Sequence, residues 1–399
     1  MRQSRSAVIV DIVRTGSGKG KPGGALSGVH PADLLAATIR AVVERTGVDP
    51  ELVEDVIAGC VSQVGDQTMN IARTAALVAG LPEHVPGVTV DRQCGSSQQA
   101  AHFAAQGVIA GAYDVAIACG VESMSRVPMF SNLAGGDPLG PLDARYPEGL
   151  PAQGYGAELM AARWGLDRGT LDEFAARSHT LASEAAASGA FDNEIIPIEV
   201  READGTIRAH THDETVRAST TVEGLAGLRS AFFDEEMAAK YPEIEWHITP
   251  GNSSPLSDGA SAALIMSEEK AVALGLKPRA RFHTFSVTGS DPVLMLSGVI
   301  PATEKALERS GLRIDEIDAF EVNEAFAPVP LAWAKELGVD LERVNPRGGA
   351  IALGHPLGGS GTRLMATMLN HLEASGGRYG LQTMCEGGGM ANATILERL

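Results

Sequence analysis

Short apolar segments alternate with helix-like ones along the first third of the chain. The segments AVIVDIV, VEDVIAGCV, VPGVTVDRQC and YDVAIACGVE are nearly continuous apolar runs, which predict buried β-strands. Between them, PADLLAATIRAVVERTG, MNIARTAALVAG and an alanine-rich stretch at 97–111 predict helices. The first of these helices ends at Gly47, a typical helix cap. A βαβαβ order of this kind predicts a sheet with helices on both faces.

The last third of the chain repeats the pattern of the first. RTGVDPELVEDVIAG from Arg45 and RSGLRIDEIDAFEVN from Arg309 share a helix end, a glycine, an acidic turn and an apolar strand, at an offset of 264 residues. At an offset of 266, DVAIACG aligns with GLQTMCE and places Cys119 opposite Cys385. Unless these short alignments arise by chance, they predict two similar α/β halves, with a site between them that draws one cysteine from each. The middle, 121–249, is rich in Gly, Pro, Asp and Glu and predicts a long excursion from this core.

Composition excludes several classes of function. The chain has 399 residues, enough for two or three domains, and a net charge of −18. That charge argues against binding to nucleic acid or to an anionic membrane, although a local basic patch is enough for a polyanionic cofactor. No apolar run reaches the roughly 18 residues of a membrane span, and the N-terminus is typical of a strand rather than a signal peptide. Four widely spaced cysteines without a CxxC motif predict a reducing cytoplasm, with neither a disulfide framework nor a metal site.

Two cysteines lie in settings that favour reactivity. Cys94 follows a predicted strand and precedes a helix, and a helix N-terminus stabilises a thiolate and lowers the pKa of a thiol. Cys385 ends an apolar strand and opens CEGGGM, where backbone N–H groups can point at a ligand, although a tight hairpin needs the same glycines. The ordinary thiol pKa near 8.5 suits Cys385 to acid–base work. Cys60 and Cys119 lie in apolar segments, and we interpret them as structural.

One histidine and one asparagine complete the candidate chemistry. His355 lies in the glycine-rich turn ALGHPLGGSG, where its ring can act as a base toward a thiol or donate to a carbonyl oxygen. The other nine histidines have no comparable setting. Asn323 and Glu324 follow the strand IDAFEV; the asparagine can hold a water or a carbonyl group, or simply cap a helix.

The segments VDRQCGSSQQA, GNSSPLSDGASA, NEAFA, GGAIALGHPLGGSG and TMCEGGG, in this order and spacing, closely resemble the thiolase family of acyltransferases. The resemblance covers essentially the whole chain. It implies an α/β fold with two duplicated βαβαβαββ halves in a five-layered α/β/α/β/α core. The N-terminal domain would comprise residues 1–120 and 250–275, an inserted loop domain that binds CoA 121–249, and the C-terminal domain 276–399. A homodimer or homotetramer is also implied, with acyl-CoA and CoA as substrates and no permanently bound cofactor.

The resemblance also assigns roles. Cys94 would be the acylated nucleophile, activated by His355. His355, with a water held by Asn323, would stabilise the enolate oxygen, and Cys385 would move the proton. The N–H groups of Cys94 and Gly387 would form a second oxyanion hole. For the substrate, Ser254 would contact the pantetheine, Met295 the acyl chain and Arg229 the CoA nucleotide.

Several positions depart from the commonest thiolase pattern. Ala152-Gln153-Gly154 stands where some biosynthetic members have His-Met-Gly, which puts a short acetoacetyl substrate in doubt. Gln98, Gln99 and Glu386 also differ. Together these features look most like actinobacterial thiolases of lipid and steroid breakdown. The expected reaction is therefore cleavage of a 3-ketoacyl-CoA by CoA to acetyl-CoA and a shortened acyl-CoA, reversible as a Claisen condensation.

Four alternatives stay open at the level of sequence. A biosynthetic acetoacetyl-CoA thiolase would use the same residues. A carrier-protein-dependent ketoacyl synthase of the same superfamily is disfavoured because such enzymes lack a second cysteine at the position of Cys385. Sterol-carrier-type thiolases usually have a different histidine motif in place of NEAF. A non-catalytic acyl-CoA-binding protein is disfavoured by the intact set of reactive side chains.

Overall fold

The structure, a computed structural model, describes residues 5–201 and 204–399. Its strands are β1 (Ala7–Thr15), β2 (Gly18–Lys19), β3 (Asp55–Gly59), β4 (Gly87–Val90), β5 (Val115–Ser123), β6 (Ile195–Ile196), β7 (Ile198–Arg201), β8 (Ile207–His210), β9 (Ser257–Ser267), β10 (Ala280–Gly289), β11 (Ala319–Val322), β12 (Tyr379–Glu386) and β13 (Met390–Arg398). Its α-helices are α1 (Pro31–Thr46), α2 (Ile71–Val78), α3 (Ser96–Ala110), α4 (Gln153–Trp164), α5 (Arg168–Ala187), α6 (Val222–Ala226), α7 (Glu235–Lys240), α8 (Glu268–Ala273), α9 (Val299–Ser310), α10 (Pro328–Leu337), α11 (Ala350–Leu353) and α12 (Ser360–Ser375).

The two halves of the chain share one strand order, which confirms the predicted duplication. In the first half, β1 pairs antiparallel with β9, β9 antiparallel with β5, and β5 parallel with β3, which pairs parallel with β4. In the second half, β10, β13, β12 and β11 pair in the same order and with the same directions. An isolated parallel bridge from Phe320 to Val344 stands where the first half has β4.

The register of the strands corrects one predicted correspondence. Ala58 pairs with Cys119 in the first half, and Val322 pairs with Thr383 in the second. At the offset of 264 residues that relates Ala58 to Val322, the counterpart of Cys119 is Thr383 and not Cys385. The alignment that placed the two cysteines opposite each other is therefore wrong by two residues, a shift that keeps the same face of a strand and so leaves the hydrophobic pattern unchanged.

Five layers build the core, as the sequence predicted. Alternate residues of one strand face opposite sides of the sheet, so Val8 packs with α1 and α2 while Ile9 packs with α3 and α12. Helices α3 and α12 lie between the two half-sheets, and α9 and α10 cover the outer face of the second. The half-sheets are joined edge to edge where β1 and β10 pair at Val8 and Ile9. The order is thus helix, sheet, helix, sheet, helix.

The segment between β5 and β9 contains α4 to α7 and three short strands. Helix α4 packs against α10 and α5 against α11, so this segment covers the outer side of the second half. Strand β6 adds to β1 in parallel, at Arg14 and Thr15. Among the helices that the structure describes, none has both the length and the apolar character that a bilayer span requires.

Candidate active site

Cys94 lies in the turn between β4 and α3, as predicted. Gln93, immediately before it, has a φ of 48°, which an amino acid with a side chain adopts only when the surrounding structure imposes it. The Ser96 hydroxyl imposes it here, because it accepts a hydrogen bond from the Arg92 N–H (2.9 Å) and donates to the Gln93 carbonyl (2.6 Å). The thiol of Cys94 is consequently held at the start of the helix, with 5% of the residue exposed.

The ionisation of Cys94 differs from the sequence prediction. Burial raises the pKa of the Cys94 thiol, and the neighbouring Cys385 and Glu386 raise it further. The Gln153 side chain, at the start of α4, acts in the opposite direction on the pKa of Cys94. The predicted lowering of this pKa is therefore wrong, because the loss of water on burial outweighs the hydrogen bonds that favour the thiolate. Cys94 is a thiol at neutral pH and needs a base to become a nucleophile.

His355 is held as a neutral base. The Ser360 hydroxyl donates to the Pro356 carbonyl (2.9 Å), so it is left as the acceptor for Nδ1 of His355 at 2.6 Å. This places the ring proton on Nδ1 and leaves Nε2 unprotonated. Nε2 is buried and has no hydrogen-bond partner in the described part of the chain. Burial, together with the nearby Arg363 charge, lowers the pKa of His355 to about 3, so the ring is uncharged at neutral pH.

Two contacts fix the loop that carries His355. The Ser257 hydroxyl accepts the His355 N–H at 3.0 Å. Three residues further along, the Gly358 N–H donates to the carboxylate of Glu122 at 2.9 Å. Glu122 also accepts the N–H groups of Val61 and Ser62, each at 3.0 Å. Glu122, at the end of β5, therefore links the loop after β3 to the segment before α12 through hydrogen bonds.

Cys385 and Asn323 meet as neighbours at the ends of adjacent strands. The Asn323 amide donates to the Cys385 sulfur at 3.6 Å, and Asn323 Oδ1 has no partner among the described residues. Burial raises the pKa of Cys385 to about 12, while the Asn323 amide opposes that rise. The ordinary thiol pKa predicted for Cys385 is thus wrong, again because the sulfur lies away from water. This thiol is a proton donor at neutral pH.

Glu324 holds the loop of Asn323 in place through hydrogen bonds. Its fully buried carboxyl accepts hydrogen bonds from Ser178 (2.7 Å), Asn345 (2.8 Å) and the N–H of Ile351 (3.1 Å). These partners belong to α5, to the loop before α11 and to α11 itself. The carboxyl thus fixes the backbone that presents Asn323.

The remaining predicted residues are Gly387 and the three candidates for binding the substrate. Gly387 lies in the turn between β12 and β13, where a Cβ on it would touch the side chain of Gln93 at 3.0 Å. The Ser254 N–H donates to the Ala325 carbonyl (3.0 Å), which places Ser254 beside the Asn323 loop. Met295 is 8% exposed and packs against α4. Arg229 is exposed.

The structure brings one cysteine from each half to a shared space. Leu357, two residues after His355, packs in the same small cluster as Cys94, Leu364 and Met384. Met384 precedes Cys385, whose sulfur is close enough to shift the pKa of Cys94. Two thiols, a neutral imidazole and an amide in one buried region are groups that can carry out acyl transfer with proton transfer at carbon.

Three residues of the site were missed by sequence reasoning: Ser360, Glu122 and Gln153. Ser360 lies inside the histidine motif, and its spacing of five residues from His355 was the available signal. Glu122 gave no signal, because its partners come from distant segments. Gln153 was noted only as a departure from a pattern. Among the described residues, no cluster of three His, Cys, Asp or Glu side chains could hold a metal ion.

Comparison with known families identifies the family of this chain. Residues 7–269 match the thiolase N-terminal domain, and residues 276–398 match the thiolase C-terminal domain. The chain belongs to the thiolase family. This thiolase is 49% identical to the steroid 3-ketoacyl-CoA thiolase FadA6 of Mycobacterium tuberculosis, over 98% of this chain and 94% of that protein. It is 46% identical to a 3-ketoacyl-CoA thiolase of Vibrio parahaemolyticus, over 99% of both proteins.

The fold agrees with a solved thiolase structure. The Bacillus anthracis acetyl-CoA acetyltransferase superposes with a TM-score of 0.89 over 100% of both chains, at 38% sequence identity. The thiolase fold and the acyltransferase class predicted from the sequence are therefore confirmed.

Proposed function

We propose that this thiolase is degradative and cleaves a 3-ketoacyl-CoA with CoA, releasing acetyl-CoA and a shortened acyl-CoA. The observation that carries the proposal is the meeting of two buried thiols, Cys94 and Cys385, near a histidine whose Nε2 is unprotonated. Relatives named as 3-ketoacyl-CoA thiolases, at 46–49% identity over nearly the whole chain, support this direction.

The first half-reaction forms an acyl-enzyme. Nε2 of His355 takes the proton of Cys94, and the thiolate attacks the 3-keto carbon of the substrate. The bond between Cα and Cβ then breaks, and its electron pair becomes the enolate of acetyl-CoA. The thiol of Cys385 protonates that carbanion at Cα and is left as a thiolate, which the Asn323 amide stabilises at 3.6 Å.

The second half-reaction returns the enzyme to its starting state. The Cys385 thiolate removes the proton of the CoA thiol, and the CoA sulfur attacks the thioester carbonyl on Cys94. The N–H groups of Cys94 and Gly387 stabilise the oxyanion of this tetrahedral intermediate. The acyl group leaves on CoA and Cys94 recovers its proton from the imidazolium of His355.

The acyl group of the substrate lies, in this proposal, beside α4. Four aromatic rings pack edge to face there: Tyr155, Phe232, Trp246 and Phe326. A Cβ on Gly154 would overlap the ring of Phe232, which occupies the space beside it. Gln153, next to Gly154, approaches Cys94. An apolar wall at this position favours a large apolar acyl group, from a fatty acid or a steroid, over acetoacetyl-CoA. Ser254 and Arg229 would hold the pantetheine and the nucleotide of CoA.

A homodimer is the assembly that the surface supports. Strand β4 is an edge of the sheet, and Val88 on it is 43% exposed. Nearby Met69, Leu77 and Val78 are exposed as well. An exposed apolar edge strand is a surface that proteins normally cover, and a second copy of the chain would extend the sheet there. The predicted tetramer would require a further contact.

A reducing compartment such as the cytoplasm is also part of the proposal. All four cysteines are unpaired in the structure, and two of them supply the thiols of the proposed chemistry. Oxidation of either thiol would stop both half-reactions, so the enzyme needs surroundings that keep thiols reduced.

The experiment that tests this function is intact-protein mass spectrometry after mixing with a 3-ketoacyl-CoA. Acetoacetyl-CoA, a medium-chain 3-ketoacyl-CoA and a steroid-derived 3-ketoacyl-CoA serve as separate donors. We expect an acyl adduct that peptide mapping assigns to Cys94, that free CoA removes, and that the two larger donors form faster. The Cys94→Ala variant should form none, and Cys119→Ala is the matched control because Cys119 is also buried but packs in the cluster of α1 and α2 side chains.

The outcomes separate the alternatives. A faster adduct from acetoacetyl-CoA would indicate a biosynthetic thiolase, and no adduct from any donor would indicate a binding protein. The Cys385→Ser variant should still be acylated by an acyl-CoA that lacks the keto group but should lose exchange of the acetyl-CoA α-protons with solvent. Equal loss of both steps would contradict the role assigned to Cys385.

A further inference from the structure

Glu386 is a buried carboxyl group that the proposed mechanism does not use. It follows Cys385 on β12, so its side chain points to the opposite face of the strand, toward the start of α3. A Cβ on Gly95 would overlap its Oε1 and would come within 2.9 Å of the Asn392 amide nitrogen. Glu386 therefore occupies the space beside the backbone that follows Cys94. Neither of its carboxyl oxygens has a hydrogen-bond partner among the described residues.

The duplicated fold supplies a direct comparison. At the offset of 264 residues, the counterpart of Glu386 is Glu122, at the end of β5. Every partner of Glu122 is a donor: the N–H groups of Val61, Ser62 and Gly358, and the Gln67 amide at 2.8 Å. Burial raises the pKa of Glu122, but these four hydrogen bonds oppose that rise, and a proton on Glu122 would face one of the donors; we therefore interpret Glu122 as a carboxylate. Glu386 has the same place in the second half and none of these donors.

The surroundings of Glu386 favour its acid form. An anion buried without a donor is strongly destabilised, whereas a carboxylic acid can donate to an acceptor such as Asn392 Oδ1, which also has no partner in the described part of the chain. The Asn392 amide nitrogen is already used, because it donates to the Gly95 carbonyl at 3.1 Å.

Two charged groups shift the pKa of this carboxyl, and its own charge in turn affects two thiols. Arg92 and Asp91 precede the nucleophile, and their charges act on Glu386 in opposite directions. Cys94 and Cys385 are each disfavoured as thiolates by a charge on Glu386. Burial dominates, and it raises the pKa of Glu386 to about 9.

We propose that Glu386 is a positioning residue that works as an uncharged carboxylic acid. In this form it packs against Gly95 and leaves the N-terminus of α3 free to stabilise the Cys94 thiolate. When it loses its proton at alkaline pH, its charge suppresses the reactivity of Cys94. The proton is lost to solvent hydroxide, and the charge that remains lies on the backbone side of the nucleophile. Ionisation of Cys94 beside that charge then requires a higher pH. The inference rests on the proposed role of Cys94 as the nucleophile.

Alkylation of Cys94 by iodoacetamide tests this inference without relying on thiolase turnover. The rate at Cys94, followed by peptide mass spectrometry, is compared at about pH 8 and about pH 10 in the wild type and in the Glu386→Gln variant. We expect the ratio of the rate at about pH 10 to the rate at about pH 8 to be about tenfold higher in Glu386→Gln, because this variant lacks the carboxylate that opposes ionisation of Cys94 at alkaline pH. Glu199→Gln, which removes an exposed carboxylate on β7, should keep the wild-type ratio.

Equal ratios in the wild type and Glu386→Gln would overturn the inference, since a merely structural Glu386 would leave the pH dependence of Cys94 unchanged. A lower ratio in Glu386→Gln would overturn it too, because it would mean that the charged form assists Cys94. Glu386→Met, a second uncharged side chain of similar length, keeps the test open if Glu386→Gln does not fold, and circular dichroism at both pH values checks the fold. If the ratios differ as expected but no 3-ketoacyl-CoA forms an acyl adduct on Cys94, the result would contradict the proposed thiolase activity and not the inference about Glu386.

Discussion

At the scale of single residues, one hydroxyl decides which nitrogen of His355 can act as a base. Ser360 Oγ can donate only one proton, and it gives that proton to the Pro356 carbonyl. Nδ1 of His355 must therefore be the donor across the 2.6 Å contact, which leaves Nε2 free. Because both cysteine thiols are protonated at neutral pH, acylation depends on this free nitrogen.

Removal of that hydroxyl should slow acylation. In Ser360→Ala, Nδ1 loses its acceptor and the ring can adopt the other tautomer or rotate. We expect the rate of acyl-enzyme formation to fall about tenfold or more, the equivalent of about one hydrogen bond, while CoA still binds. Rapid-quench mass spectrometry of the Cys94 adduct measures the rate.

Ser375→Ala is the matched control, because Ser375 lies at the other end of α12 and its hydroxyl donates to the backbone carbonyls of His371 (2.9 Å) and Leu372 (3.5 Å). An unchanged acylation rate in Ser360→Ala would show that the tautomer of His355 is fixed by something else.

At the scale of elements, the site depends on how closely α3 and α12 cross in the central layer. Gly361, in the first turn of α12, has no side chain, and a Cβ there would overlap the backbone nitrogen of Gln98 in α3. The Ser97 hydroxyl accepts the Thr362 N–H at 3.0 Å across the same contact. This crossing brings the N-termini of both helices together, and with them Cys94 and the loop of His355.

Gly361→Ala should separate the two helices and damage the site. The added methyl group meets backbone rather than a movable side chain, so we expect a loss of about 1–3 kcal/mol in the free energy of unfolding and a clear fall in kcat. Denaturant unfolding and steady-state kinetics measure the two effects.

Gly224→Ala in the surface helix α6 is the control, because its nearest atom would be 3.4 Å away and alanine favours a helix. Equal stability of Gly361→Ala and the wild type would mean that the crossing has room for a methyl group.

At the scale of the whole molecule, the first half-sheet ends in an edge that carries apolar side chains. Strand β4 pairs only with β3 in the described part of the chain, and Val88 points outward from it. The corresponding edge of the second half is reduced to one bridge, at Val344, which is buried. Among the described residues, the first half-sheet therefore has an open apolar edge strand that the second half-sheet lacks, which is the reason to expect a dimer there.

A charge on this edge should break the dimer. We expect Val88→Asp to elute as a monomer, because each copy would bury a carboxylate at the interface. Light scattering coupled to size-exclusion chromatography measures the mass. The control is Val272→Asp on α8, which is 69% exposed on another part of the surface and should leave the assembly as in the wild type. A Val88→Asp protein of unchanged mass would place the interface elsewhere.

The sequence by itself determined the order of elements and the identity of the chemistry. Apolar runs and the Gly47 cap predicted the strands and helices of the first half, because these signals are local. The motifs around Cys94, Asn323, His355 and Cys385 were sufficient to identify the thiolase family. The repeat predicted the duplication but misplaced Cys119 by two residues, since a two-residue shift preserves the alternation of a strand.

Only the tertiary structure decided how these groups ionise and what holds them. The pKa of Cys94 and Cys385 rises because distant segments remove water from both thiols, a quantity that no local pattern contains. The partners of Glu122, and the lack of a donor to Glu386 among the described residues, depend equally on contacts between residues far apart in the chain. Sequence motifs specify which groups are present, while burial and long-range hydrogen bonds set their charge, because both depend on the folded surroundings.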